Sequence, residues 1–305
     1  MMTSALQDKV AVVSGATRGC GRAIAIELGA LGATVFAAGR STRSRRSEMN
    51  RPETIEETAE LVSKAGGTGI AVRCDFLNQE DVNALRDRIV AETGGQLDVL
   101  IDDVWGGDPF IDWDTPFWEQ DVERSVGAWR NGLETHLRAL HTLLPLLTDK
   151  PGGLVVEVTD GETDGNSGSL VYDQVKAGVR RLALGLSEQL PKYGGTALAA
   201  TPGFLRSEAM LDHFKVTEKN WRAGITTDPN FVLSETPHLL GRGIAALAAD
   251  DNRARWNGRI TTSHALADAY QADDLDGSRP DWPRWLKDVV FGGLDPAQVD
   301  PAGYR

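Results

Sequence analysis

Short apolar runs alternate with longer helical patterns along this chain of 305 residues. Residues 10–13, 34–38, 70–73, 97–101, 154–158, 196–200 and 258–262 read as strands. Residues 23–31, 52–65, about 80–92, about 118–147 and 172–190 read as helices, and the second of these carries acids in its first turn, where the helix dipole favours them. Such alternation predicts an α/β fold, a doubly wound parallel sheet of the Rossmann type with helices on both faces. No repeat, low-complexity stretch or linker divides it. The expected organisation is a single domain over residues 1–265, with residues 266–305 as a C-terminal extension packing on it.

Directly after the first apolar run stands Ser14-Gly15-Ala16-Thr17-Arg18-Gly19-Cys20-Gly21. The glycine spacing is G-x-x-x-G-x-G. Gly15 permits a tight turn, Gly19 lets a phosphate approach the backbone, and Gly21 lets the helix pack on the strand. Free N–H groups at the helix start, with Thr17 and Arg18 beside them, then face an anion. A glycine turn alone is a weak signal, but its place between a strand and a helix strengthens it. The second strand ends at Gly39-Arg40. An NAD site usually places an acid there for the ribose hydroxyls, whereas a guanidinium suits a phosphate. The expected cofactor is therefore NADP(H), with Arg18 closing on the same phosphate as Arg40. Arg43, Arg45 and Arg46 read as a solvated basic loop, with a direct phosphate role as the alternative.

The second motif is Tyr172-Asp173-Gln174-Val175-Lys176 at the start of a helix. Residues four apart share a helix face. An ammonium beside a phenol favours phenolate, which would make Tyr172 a general acid or base near neutral pH. Lys176 is also placed to hold the nicotinamide ribose. Together the two motifs imply hydride chemistry with a nicotinamide cofactor.

At these residues the chain resembles the short-chain dehydrogenase/reductase family, over roughly residues 6–265. The family's T-G-x-x-x-G-x-G matches Ser14 to Gly21. The resemblance implies that Asp75 contacts adenine, that Pro202-Gly203 follows the sixth strand, and that Ser207 stands where a threonine commonly meets the cofactor. Arg40 matches the arginine of NADPH-preferring members. The departures are as informative. The family's N-N-A-G is Asp102-Asp103-Val104-Trp105 here, and aspartate cannot donate as the amide does. The helix asparagine of the proton relay falls on Gly132, with Asn131 one position away. The catalytic serine is absent, and its place falls on Thr159 or Asp160. Thr159 is favoured because it offers a hydroxyl to orient a carbonyl. Asp160 would repel developing negative charge, but could hold a cationic substrate or act as a second base.

Ligands enter this fold at the C-terminal ends of the strands. Trp105, Phe110, Trp113, Phe117 and Trp118 follow the fourth strand, interleaved with Asp108, Asp112 and Asp114. They read either as an aromatic, acidic pocket for a basic nitrogen or as a surface loop covering the sheet. Trp105, Asp108 and Phe204 are the candidate substrate contacts, and residues 204–214 are a candidate lid.

The expected reaction is NADP(H)-dependent hydride transfer between nicotinamide and a small-molecule carbonyl, alcohol or imine, with Tyr172 as acid/base. The altered positions leave non-redox chemistry on the same scaffold as the alternative, or cofactor binding without turnover. A net charge of -12 disfavours nucleic acid or an anionic membrane as partner. Cys20 and Cys74 show no disulfide or zinc spacing, and His136 and His141 show no metal pattern. A cytoplasmic protein is expected, and by resemblance a homodimer or homotetramer.

Overall fold

The computed structural model describes residues 5–46, 50–162 and 168–305. Part of the basic loop at 40–51 thus lies outside the described residues. Seven strands form one sheet in which every pairing is parallel: β1 (Val10–Ser14), β2 (Thr34–Gly39), β3 (Thr68–Arg73), β4 (Val99–Asp102), β5 (Leu154–Val158), β6 (Thr196–Thr201) and β7 (Ile260–Thr262). The order is β3-β2-β1-β4-β5-β6-β7. Strand order reverses between β1 and β4, and this topological switch point opens a crevice at their C-terminal ends.

The core explains the apolar runs. Val13, Val35, Ile101 and Val156 face one side of the sheet, and Val12, Phe36, Leu100 and Val155 face the other. Strands covered on both faces lack the polar alternation of a half-exposed sheet. Helices α1 (Gly19–Ala30) and α2 (Ile55–Ala65) follow β1 and β2, and α3 (Gln79–Thr93) follows β3. Thr54 caps α2 by accepting from the Glu57 N–H, and Gly66 ends it at φ +119°. Both are standard stop and start chemistry.

Two boundaries differ from expectation. Helix α1 begins at Gly19, before its apolar periodicity starts, because its first turn is the glycine turn itself. The expected helix from 118 begins at Val122, where the Asp121 carboxylate caps the Glu123 N–H at 2.9 Å. It runs as α4 (Val122–Trp129), widens to a π-turn over Arg130–Glu134, and continues as α5 (Thr135–Leu147). The later helices are α6 (Leu170–Gln189), α7 (Glu208–His213), α8 (Pro237–Ala248), α9 (Ser263–Tyr270) and α10 (Trp282–Trp285).

The last segment folds back on the chain. Trp285 is fully buried and donates from Nε1 to Asn230 Oδ1 at 2.9 Å. Arg305 pairs with Asp276 at 2.7 Å. Among the described residues no helix is long and apolar enough to cross a membrane.

Candidate active site

A cleft of about 610 Å³ lies at the switch point, lined by the glycine turn together with Tyr172 and Lys176. Its size is that of a small-molecule or cofactor site. The glycines are needed for different reasons. Gly15 has φ +79°, and a Cβ there would stand 2.2 Å from the Asp103 carbonyl oxygen. A Cβ on Gly21 would stand 2.4 Å from the Gly15 carbonyl oxygen. Gly19 has φ +56° and open space around its Cβ position, so conformation alone demands glycine there.

An anion already stands at the start of α1. The Glu208 carboxylate, from the first turn of α7, accepts the Gly19 N–H at 2.9 Å. This is where free N–H groups and the helix dipole favour negative charge. Beside it, Arg18 Nε meets Glu53 at 3.2 Å, while its Nη2 is buried without a hydrogen-bond partner. Glu53 also binds Arg51 at 3.0 Å, and Arg51 reaches Asp212 of α7 at 2.8 Å. Burial would raise the Glu53 carboxyl, but hydrogen bonds led by that from Arg51 hold it below the usual carboxylate range.

Arg40, Thr17 and Asp75 line the same cleft. Arg40 reaches over Gly106, whose Cβ position is 2.9 Å from its Nη2. Asp75 Oδ1 accepts the Leu77 N–H at 3.0 Å. Pro202, Gly203 and Ser207 also line the cleft. Gly203 packs on buried Glu235, whose carboxyl is pushed up to about 8 by burial. Ser207 caps α7. Phe204 packs edge-on to Phe231 at 5.3 Å and against Trp282 at 5.3 Å. Trp282 thus brings the C-terminal segment to the wall of its own chain's cleft.

In the same cleft, Tyr172 donates its hydroxyl hydrogen to Asp160 Oδ2 at 2.7 Å. Trp105 meets the phenol edge-on at 5.5 Å, and Trp113 meets it tilted at 5.2 Å. The Trp105 indole N–H donates to Asp108 at 2.6 Å. Lys176 Nζ lies 4.2 Å from the centre of the Trp105 ring, a cation–π contact. Two expectations change here. The phenol is not lowered by Lys176: burial, then the Asp160 charge, holds it well above its ordinary value. The favoured Thr159 spends its hydroxyl hydrogen on the Lys176 carbonyl at 2.9 Å, which leaves Asp160 as the group facing Tyr172. Lys176 is itself lowered by burial, against the charges of Asp160, Asp103 and Asp108.

Two features escaped the sequence reading. First, Gly132 faces Trp105: a Cβ there would stand 2.6 Å from the indole and 2.6 Å from Val175. The indole fills the space that a relay side chain would need. Second, Asp102, His136 and Glu157 form a buried cluster under the loop after β4, with potential ligand atoms within 4.8 Å of one another. His136 Nδ1 lies 2.6 Å from Glu157, and its Nε2 lies 3.0 Å from the Val104 carbonyl. The Glu157 carboxyl and the Val104 carbonyl thus stand one at each ring nitrogen. The pKa of His136 stands at about 9: burial opposes the charge, but Asp102 and then Glu157 outweigh it. The 2.6 Å contact is a hydrogen bond, closer than two ligands of one ion would stand. Spacing could not reveal this cluster, because its members come from β4, α5 and β5.

A family model described as short chain dehydrogenase matches residues 9–217. Dehydrogenase/reductase SDR family member 1 of Mus musculus is 29% identical, over 99% of this chain and 93% of that protein. The 7alpha-hydroxysteroid dehydrogenase of Paraclostridium sordellii is 25% identical, over 68% of this chain and 73% of that protein. Among solved structures, L-sorbose reductase of Gluconobacter frateurii, complexed with NADPH and L-sorbose, superposes with a TM-score of 0.71 at 18% identity, over 92% of this chain and 98% of that one.

Proposed function

Because this chain belongs to the short-chain dehydrogenase/reductase family of oxidoreductases, we propose that it transfers a hydride between NADP(H) and a small-molecule carbonyl, alcohol or imine, with Tyr172 as general acid/base. One observation carries this reading: Tyr172, Lys176 and Asp160 line the same cleft as the glycine turn. The nucleotide fits the residues there. The Glu208 carboxylate on the Gly19 N–H supports anion binding at the start of α1. The unpartnered Arg18 Nη2 supports a second anionic group beside it. Arg18 and Arg40 would hold the ribose phosphate, and Asp75 would meet the adenine. Pro202, Gly203 and Ser207 would flank the nicotinamide half, whose ribose Lys176 would hold. When bound, the reduced cofactor supplies the hydride.

Asp160 takes the position of the family's serine in this reading, while Thr159 anchors the turn of chain to α6. The test is consumption of NADPH with a panel of ketones, quinones and cyclic imines, run in parallel on Tyr172→Phe. Turnover by the natural sequence and, on the ketones and quinones, a loss of about 100-fold or more in the variant are expected, the usual weight of an acid–base group. Equal turnover by both would remove Tyr172 from the chemistry. Nucleotide binding with no consumption would favour non-redox chemistry.

Residues 266–305 are proposed as an extension of the same domain, supported by buried Trp285 and by Trp282 at the cleft. A homodimer or homotetramer is proposed on the family pattern. Val122, Val126 and Trp129 stand exposed on α4 in support of it. Light scattering at the mass of one chain would contradict it.

A further inference from the structure

We propose that the substrate is a protonated imine, a planar iminium flanked by an aromatic or cyclic group, and that Asp160 binds its N–H. The inference rests on the hydride-transfer reading above and narrows it. A carbonyl oxygen needs donors. Here the Tyr172 hydrogen is committed to Asp160 at 2.7 Å, and the Thr159 hydrogen is committed to the Lys176 carbonyl at 2.9 Å. The group facing Tyr172 is an acceptor, and an iminium N–H requires an acceptor.

Charge agrees with geometry. Asp160 and Asp108 both act on Tyr172, and Asp160, Asp103 and Asp108 all act on the Lys176 ammonium, while Arg180 donates to the backbone carbonyls of Asp160 and Gly161. The walls suit a flat cation as well. Trp105 carries Lys176 on its ring, while Trp113, 53% exposed, presents its indole at the mouth beside Tyr172. An exposed indole is the better of the common side chains for a cation–π contact.

The chemistry follows the same logic. The iminium carbon accepts a hydride from the reduced nicotinamide, and the C=N π pair moves onto nitrogen. The products are a neutral amine and the oxidised nicotinamide, and no proton is transferred in the step. Asp160 therefore never faces a developing anion. A ketone would place a nascent alkoxide against this carboxylate, the like-charge arrangement that an acyl or carbonyl site avoids.

The full chain is first titrated with NADPH, then assayed with dihydroisoquinoline and with the matched ketone, tetralone. A kcat/KM for the imine about 100-fold above that for the ketone is expected. Asp160 is exposed, so Asp160→Asn should lose about twofold to fivefold of the imine rate, the scale of an exposed ion pair. Asp160→Ser should shift the preference toward the ketone. Binding of the product amine in its protonated form, read by quenching of tryptophan fluorescence without turnover, should weaken about twofold to fivefold in Asp160→Asn. NADPH titrations of both variants confirm that they fold. Ketone reduction faster than imine reduction, or amine binding unchanged in Asp160→Asn, would overturn the substrate class and leave the hydride-transfer reading standing. Failure of the natural sequence to bind NADPH would overturn both.

Discussion

The indole of Trp105 touches most of the reactive end: Tyr172 at its edge, Lys176 on its face, Asp108 at its N–H and Gly132 beneath it. Gly132→Asn would drive a side chain into the ring and into Val175, where the clear distance is 2.6 Å. Overpacking of this kind costs about 1–3 kcal/mol. Urea unfolding should show that loss for Gly132→Asn, and Trp105→Ala in the same chain should recover a good part of it. Strictly additive effects would contradict the contact. The Tyr172–Lys176 pair was legible in the sequence because its geometry is local to one helix. The choice between Thr159 and Asp160 was not. It depends on how the chain leaves β5, where Thr159 turns to cap an α6 carbonyl and Asp160 turns to the cleft. The Trp105–Gly132 contact was invisible for a related reason: it joins a loop and a π-turn that only the sheet brings together.

Among the elements, α7 is the one placed to resist the nucleotide. Its Glu208 occupies the N-terminus of α1, and its Asp212 is tied to Arg51. A carboxylate at a helix N-terminus is worth about 0.3–1 kcal/mol when exposed and up to about 2 kcal/mol when partly buried. An entering phosphate must replace it. Glu208→Gln is therefore expected to tighten NADPH binding by about threefold to tenfold, measured by fluorescence titration. Unchanged or weaker binding would show that Glu208 does not compete. The strands were readable as elements because both of their faces are buried, and α2 because its cap and stop residues are local. The start of α1 was misplaced because its first turn is the glycine turn, which carries little apolar pattern. No sequence signal linked α7 to the start of α1, since its Glu208 meets the Gly19 N–H across the fold.

At the scale of the whole molecule, the buried Asp102–His136–Glu157 cluster ties β4, α5 and β5 together beneath the site. His136 holds its second proton to about 9 in the folded chain, against about 6.5 in the unfolded one. Glu157 is also pushed up, to about 7, chiefly by burial. The folded state thus binds more protons than the unfolded state across this range, so stability falls as pH rises. The contribution of His136 is fully present below about pH 6.5 and is lost as pH rises through about 9. Urea unfolding at those two values should show a fall for the natural sequence and a smaller one for His136→Gln. Equal falls would place the pH dependence elsewhere.

The glycine turn and Tyr172 line one cleft, and we propose that the turn holds the cofactor phosphates while Tyr172 serves the reacting group. Parallel titration of the full chain with NADPH and NADH tests it most directly. NADPH should bind at least about tenfold more tightly, the scale of one charge-assisted phosphate contact, and Arg40→Ala should bring the two affinities together. Equal affinities in the natural sequence would contradict the arginine-held phosphate, and binding of neither nucleotide would contradict the account from the glycine turn onward.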